Sequence, residues 1–141
     1  MSVKLPIVPA SVDAGLLILR LWIGLIGVIH GGQKLFGLFG GHGIKAFADY
    51  LEKLSVPAPT ASAVMAGLAE FGGGLLIALG ILPRLAAIPF AFTMLVAWLT
   101  AHGGKFIAQD GGGEYALTLG ILAMALAVAG PGKFTVLRLA K

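Results

Sequence analysis

Residues 15–36 run for 22 positions with only Arg20, His30 and Lys34 ionisable, the rest being almost all leucine, isoleucine, valine and glycine. That length matches the ~20 apolar residues a helix needs to span the hydrocarbon core of a bilayer. Three further runs follow: 61–82, with Glu70 its one charge, then 85–101 and 115–130, with none. The last is short, so its helix should borrow Glu114 and Pro131 at its ends. Charged residues make up 11% of the chain and hydrophobic ones 58%. A soluble domain carries roughly 25% charged residues, and a globule this poor in charge could not cover its surface with polar groups. The expected fold is therefore all-α and integral to a membrane. It is a four-helix bundle in one domain over 1–141, with helices at about 14–36, 61–82, 84–102 and 114–130.

The first run is too long for a signal-peptide core, contains Arg20, and lacks a small-x-small cleavage site followed by soluble sequence. Pro83 and Arg84 leave only a tight turn between the second and third helices, and "GPGK" at 130–133 stops the fourth. Four crossings put both termini on one side, with Lys4, Arg84, Lys133, Arg138 and Lys141. The opposite loops hold Lys45, Lys53 and Lys105, with Lys34 at a helix end. The positive-inside rule then places both termini in the cytoplasm and the protein in the plasma (inner) membrane. The net charge of +4 marks topology rather than a nucleic-acid partner. With no cysteine, disulfides, thiolate chemistry and cysteine-held zinc or iron–sulfur centres are excluded.

Between the first two runs, Ile44, Phe47, Ala48, Leu51 and Leu54 recur at helical spacing opposite Lys45, Asp49, Glu52 and Lys53. This pattern predicts a short amphipathic helix over about 43–54, lying along the outer interface or capping the bundle. "VPAP" at 56–59 ends it.

Ionisable groups inside spanning helices are costly and mark sites, paths or specific pairs. Arg20, Gly24, Gly27, Gly31 and Lys34 step by four, three, four and three along the first helix, one stripe on which glycines admit a close neighbour. Ala63, Ala66, Gly67, Gly73 and Gly74 share the side of Glu70. Those packing faces turn the charges toward the bundle interior. Measured from the outer end of each helix, His30 lies about 9 Å down, Glu70 about 14 Å and Arg20 about 24 Å. Glu70 is thus expected between Arg20 and His30, able to pair with either. His30, Gln33 and Lys34 are expected to form one wall of a polar pocket, Glu70 its floor, and His102 and Glu114 its mouth. The plainer readings are a buried Arg20–Glu70 ion pair that fixes register, a snorkelling Lys34, and solvated helix ends at His102 and Glu114. His42 is expected to be exposed, and Trp22, Trp98 and Tyr115 read as packing or interface anchors.

His30, His102, Glu70 and Glu114 suit a metal, and two histidines suit a haem, in ligand type; but no HxxxH or ExxH pair organises them. A quinone head group needs one or two donors, a carboxylate to relay protons and apolar walls. On that reading His30, Gln33, Lys34 and Arg20 bind the ligand, and Glu70, His30, His102 and Glu114 are the catalytic candidates.

"LLILRLWIGLIGVIHGGQKLFG", "AEFGGGLLIALGILPRLAA", "AHGGKF" and "GGGEYALTLGILAMALAVAGPG" together resemble the DoxX family of small four-helix membrane proteins, over residues 14–132. Members of that family are associated with thiosulfate:quinone oxidoreductase membrane subunits and with membrane-bound oxidoreductase complexes. The resemblance implies that Arg20, His30, Lys34, Glu70, His102 and Glu114 are characteristic polar positions. Three functions follow as expectations. The first is the membrane subunit of a quinone-linked oxidoreductase complex, with a redox protein partner or a second copy of itself. The second is a non-catalytic assembly subunit, and the third is a small-molecule or ion transporter.

Overall fold

The computed structural model describes residues 11–139, and Lys4 and Lys141 of the topology argument lie outside them. Among the described residues every regular element is helical. The first helix, α1 (Val12–Phe36), begins where the Ser11 side chain accepts from the Ala14 N–H and ends at Gly37 with φ of 69°. It is followed by α2 (Gly43–Lys53) and α3 (Pro59–Leu79). One tight turn then shortens what a reading of hydropathy extends. Gly80 takes φ of 72° and stops α3 at Leu79, although apolar residues continue to Leu82. Pro83, preset for a first helical turn, opens α4 (Pro83–Thr100). A hydrogen-bonded loop over 101–113, with a short 3-10 turn at Ala108–Asp110, leads to α5 (Glu114–Ala129), and one further turn, α6 (Val136–Leu139), follows.

Helices α1, α3 and α4 are long and apolar enough to cross a membrane. At 16 residues, α5 is about 24 Å long, shorter than a typical hydrocarbon core. Helices α1 and α3 share the most extensive contact, followed by α4 with α5 and then α3 with α4, while the α5–α1 seam is the thinnest of the four. Ile23, Ile77, Phe90, Ala123 and Leu126 fill the middle with no exposed surface. The exposed surface carries large apolar side chains such as Ile18, Trp22, Met65, Phe92 and Ile121, as expected where lipid replaces water as the neighbour.

The glycine stripe on α1 is the α1–α3 contact. A Cβ at Gly27 would stand 2.6 Å from the Glu70 carbonyl oxygen, and one at Gly24 would stand 2.7 Å from that of Gly74. Both are closer than any side-chain carbon sits, so the two backbones touch because these residues have none. This register places Gly27 beside Glu70 and Gly74, Gly31 beside Phe71, and Leu35 beside Gly67. The first two turns of α3 therefore stand above the end of α1. Helix α2 packs there, burying Ala48 and Leu51 against Ala63 with Ile44, Phe47 and Val56 around them. Its opposite face is exposed and carries the Lys45–Asp49 pair at 2.9 Å. The hydrogen bond to Asp49, and then that carboxylate's charge, hold the Lys45 amine above the usual lysine range.

Candidate functional site

The offset between α1 and α3 decides which charges meet. Glu70, 1% exposed, lies within reach of Lys34, whose Nζ donates to both carboxylate oxygens at 2.5 Å. The expected Arg20–Glu70 pair does not form. Depths counted from each helix end assume that the ends are level, and here they are not. Arg20 instead lies beside Gly80, ten residues from Glu70, or about 15 Å along the axis. There its guanidinium, 1% exposed, donates from Nη1 to the Pro131 carbonyl at 2.8 Å and from Nη2 to that of Phe134. Nearby, the Lys133 N–H donates to Asp13 at 3.0 Å, and Thr135 is buried. Arg20 thus clamps the chain after α5 under the far end of the bundle, away from the pocket it was expected to share.

At the opposite end, α1, α3, α4 and α5 enclose a half-open cavity of about 160 Å³. Its polar lining is His30, Lys34, Glu70, His102 and Tyr115; its apolar walls include Ile26, Phe90, Met94, Ala97 and Leu119. Four of the expected site residues therefore share one cavity. His30 and Tyr115 are both exposed and form its rim, whereas Glu70 is its most deeply buried polar group. Lys34 is pinned from a third side, its Nζ lying 5.3 Å from the centroid of the Phe47 ring on α2, a cation–π distance.

Gln33 and Glu114 do not line the cavity. The Gln33 amide donates to the Phe39 carbonyl at 3.1 Å, closing the turn after α1. Glu114 is the first residue of α5, roughly opposite the face that Ala116 and Leu119 turn to the cavity. Its Oε1 accepts from the Ala108 N–H at 3.0 Å and so holds the loop. Tyr115 is the cavity residue that reading the sequence passed over as an anchor. Its position between Glu114 and an apolar helix start resembled an interface aromatic, and only the packing of α5 on α4 turns it to the cavity.

His102 is held by its surroundings. Its Nδ1 lies 3.1 Å from the Gly111 carbonyl oxygen. A carbonyl only accepts, so Nδ1 carries the hydrogen, and the neutral ring has its lone pair on Nε2. The ring packs against the backbone of Gly113, where a Cβ would stand 2.8 Å from His102 Cδ2. Trp98 Nε1 donates to the Lys105 carbonyl at 2.8 Å and fastens the start of the same loop. Among the described residues no group of three or more histidines or carboxylates is gathered to hold a metal ion. His42 is exposed in the turn before α2 and takes no part in the cavity.

The arrangement can receive a small ring. An apolar cavity of ~150 Å³ holds one benzene, and this one is of that size with polar groups at one end. Lys34 neutralises Glu70, so the polar end carries donors and acceptors without net charge. That suits a neutral ligand better than a small anion. Compared with known families, the chain matches the DoxX family model over residues 15–103. No curated protein and no solved structure gives a significant match.

Proposed function

The chain belongs to the DoxX family of membrane proteins, and on that premise we propose that it is the membrane subunit of an oxidoreductase complex delivering electrons to quinone. The donor is a reduced sulfur compound or a soluble redox partner, oxidised on another subunit. The observation that carries this reading is the ring-sized neutral cavity lined by Lys34, Glu70, His30 and His102. Lys34 Nζ and His30 supply donors for the carbonyl oxygens of the acceptor. Glu70 and His102 relay the two protons that accompany two electrons, each taking up a proton before passing it to an acceptor oxygen, Glu70 at the buried floor and His102 from the outer side. The apolar walls take the ring, and the exposed rim at His30 and Tyr115 leaves room for a tail toward lipid.

In this proposal α1, α3, α4 and α5 all cross the plasma (inner) membrane as a four-helix bundle, α5 completing its short span with flanking residues. Helix α2 lies at the outer interface, apolar face on α3 and charged face to water, as its burial pattern supports. Both termini are then cytoplasmic, with Arg84, Lys133 and Arg138 on that side.

The test is Glu70→Gln in the reconstituted complex, assayed for quinone reduction. General acid–base contributions run to about 10²–10⁴-fold, so turnover should fall by at least about 10²-fold. Unchanged turnover with unchanged quinone affinity removes the proposal. A second reading, a non-catalytic assembly subunit, is favoured by one observation: Lys34 and Glu70 already satisfy each other. It requires Arg20→Ala and Glu70→Ala to lose folded protein together while His102→Ala leaves the complex's turnover intact.

A further inference from the structure

His102 carries a defined tautomer only while the Gly111 carbonyl stays where it is, and a chain of contacts fixes that carbonyl. Gly111 ends the 3-10 turn with φ of 78°, its N–H donating to the Ala108 carbonyl at 3.0 Å. Gly112 donates to Ile107 at 2.8 Å, and Gly113 donates to Lys105 at 2.9 Å. The Ala108 N–H, which opens the turn, is satisfied by Glu114 Oε1 at 3.0 Å, while the Glu114 N–H donates to the Phe106 carbonyl at 3.0 Å. Glu114 thus grips the loop from both its backbone and its side chain. Its carboxylate is outside the cavity and touches none of the polar groups that face His102 there, namely Lys34 and His30 from α1, Glu70 from α3 and Tyr115 from α5.

We infer that Glu114 is a positioning residue: through Ala108 and the Gly111 carbonyl it keeps the hydrogen of His102 on Nδ1 and so keeps the Nε2 lone pair free to take up a proton. A ring whose Nε2 is free takes up a proton there from the outer side, gives it to an oxygen of the quinone as that oxygen is reduced, and returns to the same tautomer. The opposite tautomer would lose the bond to the Gly111 carbonyl and leave Nε2 no lone pair on which to take up that proton. The consequence for turnover rests on the quinone reading, but the tautomer does not.

Two substitutions separate reach from charge. Glu114→Gln removes the charge yet keeps an oxygen that can accept from Ala108. Glu114→Asp keeps the charge at the start of α5, which favours folding of that helix, yet is one methylene too short to reach. Histidine ¹⁵N spectra of the full chain in nanodiscs, taken where the imidazole is neutral and assigned by His102→Asn, report the tautomer directly. Wild type and Glu114→Gln should show the hydrogen on Nδ1, and Glu114→Asp should reduce that preference about tenfold, the value of one well-made hydrogen bond. A wild-type ratio in Glu114→Asp, or its loss in Glu114→Gln, overturns the inference. If the tautomers follow this pattern while wild-type protein binds no benzoquinone, the positioning role stands and the quinone proposal falls.

Discussion

Replacing Lys34 with methionine removes the one hydrogen-bond donor that Glu70 has among the described residues. The carboxylate left behind is 1% exposed, with no second cation within ion-pair distance among the described residues. Breaking a buried pair from one side costs about 3–5 kcal/mol. Because the Lys34 side chain is itself 26% exposed, the lower part of that range, about 3 kcal/mol, applies here. The converse change is milder. In Glu70→Gln the lysine keeps its access to water, and the amide oxygen still accepts one bond, so the loss is about 1 kcal/mol. Removing both, as Lys34→Met with Glu70→Leu, takes away the buried charge altogether and should recover most of the loss, since apolar replacements of buried pairs are often neutral. Thermal unfolding in mild detergent reads the order. With a shift of about 4 °C per kcal/mol for a chain of this size, Lys34→Met should unfold some 10 °C or more below wild type, with Glu70→Gln and the double variant both within about 5 °C. A double variant as unstable as Lys34→Met alone, or a Lys34→Met no worse than Glu70→Gln, would refute the asymmetry drawn from burial.

Other expectations follow from the same packing. Gly27→Ala drives a methyl to 2.6 Å from the Glu70 carbonyl and 2.8 Å from the Phe90 ring; it should cost about 2 kcal/mol or more in unfolding experiments. Gly72→Ala meets nothing within 4 Å and should stabilise by up to about 1 kcal/mol. Arg20→Met leaves the Pro131 and Phe134 carbonyls without their donor. It should speed hydrogen exchange at Thr135 and cost about 1–3 kcal/mol for each carbonyl left buried. The chain's lack of cysteine makes sidedness easy to read. Lys45→Cys should react with an impermeant maleimide added outside intact cells, and Arg84→Cys only after the membrane is opened; the reverse result inverts the proposed topology.

Hydropathy alone determined much of this protein, because lipid tolerates little else. A stretch such as 15–36 must be helical to satisfy its own backbone, and the glycines at 24, 27 and 31 must face something that benefits from their lack of a side chain. The amphipathic pattern over 43–54 and the turn at Pro83 were equally legible, since each depends on neighbours in the chain. His30, Lys34, Glu70 and His102 could be nominated together because ionisable groups in apolar helices are few. Their partners could not. Glu70 meets Lys34 rather than Arg20 because α3 rises above the end of α1, and that offset is a property of two surfaces fitting, invisible to a count along either one. The loop over 101–113 turned Glu114 from a cavity residue into a brace, and the packing of α5 on α4 brought Tyr115 to the cavity rim; both depend on contacts between segments. Helix formation in a membrane is decided locally by backbone hydrogen bonding, whereas the pairing of buried charges depends on register, which only the packed structure sets.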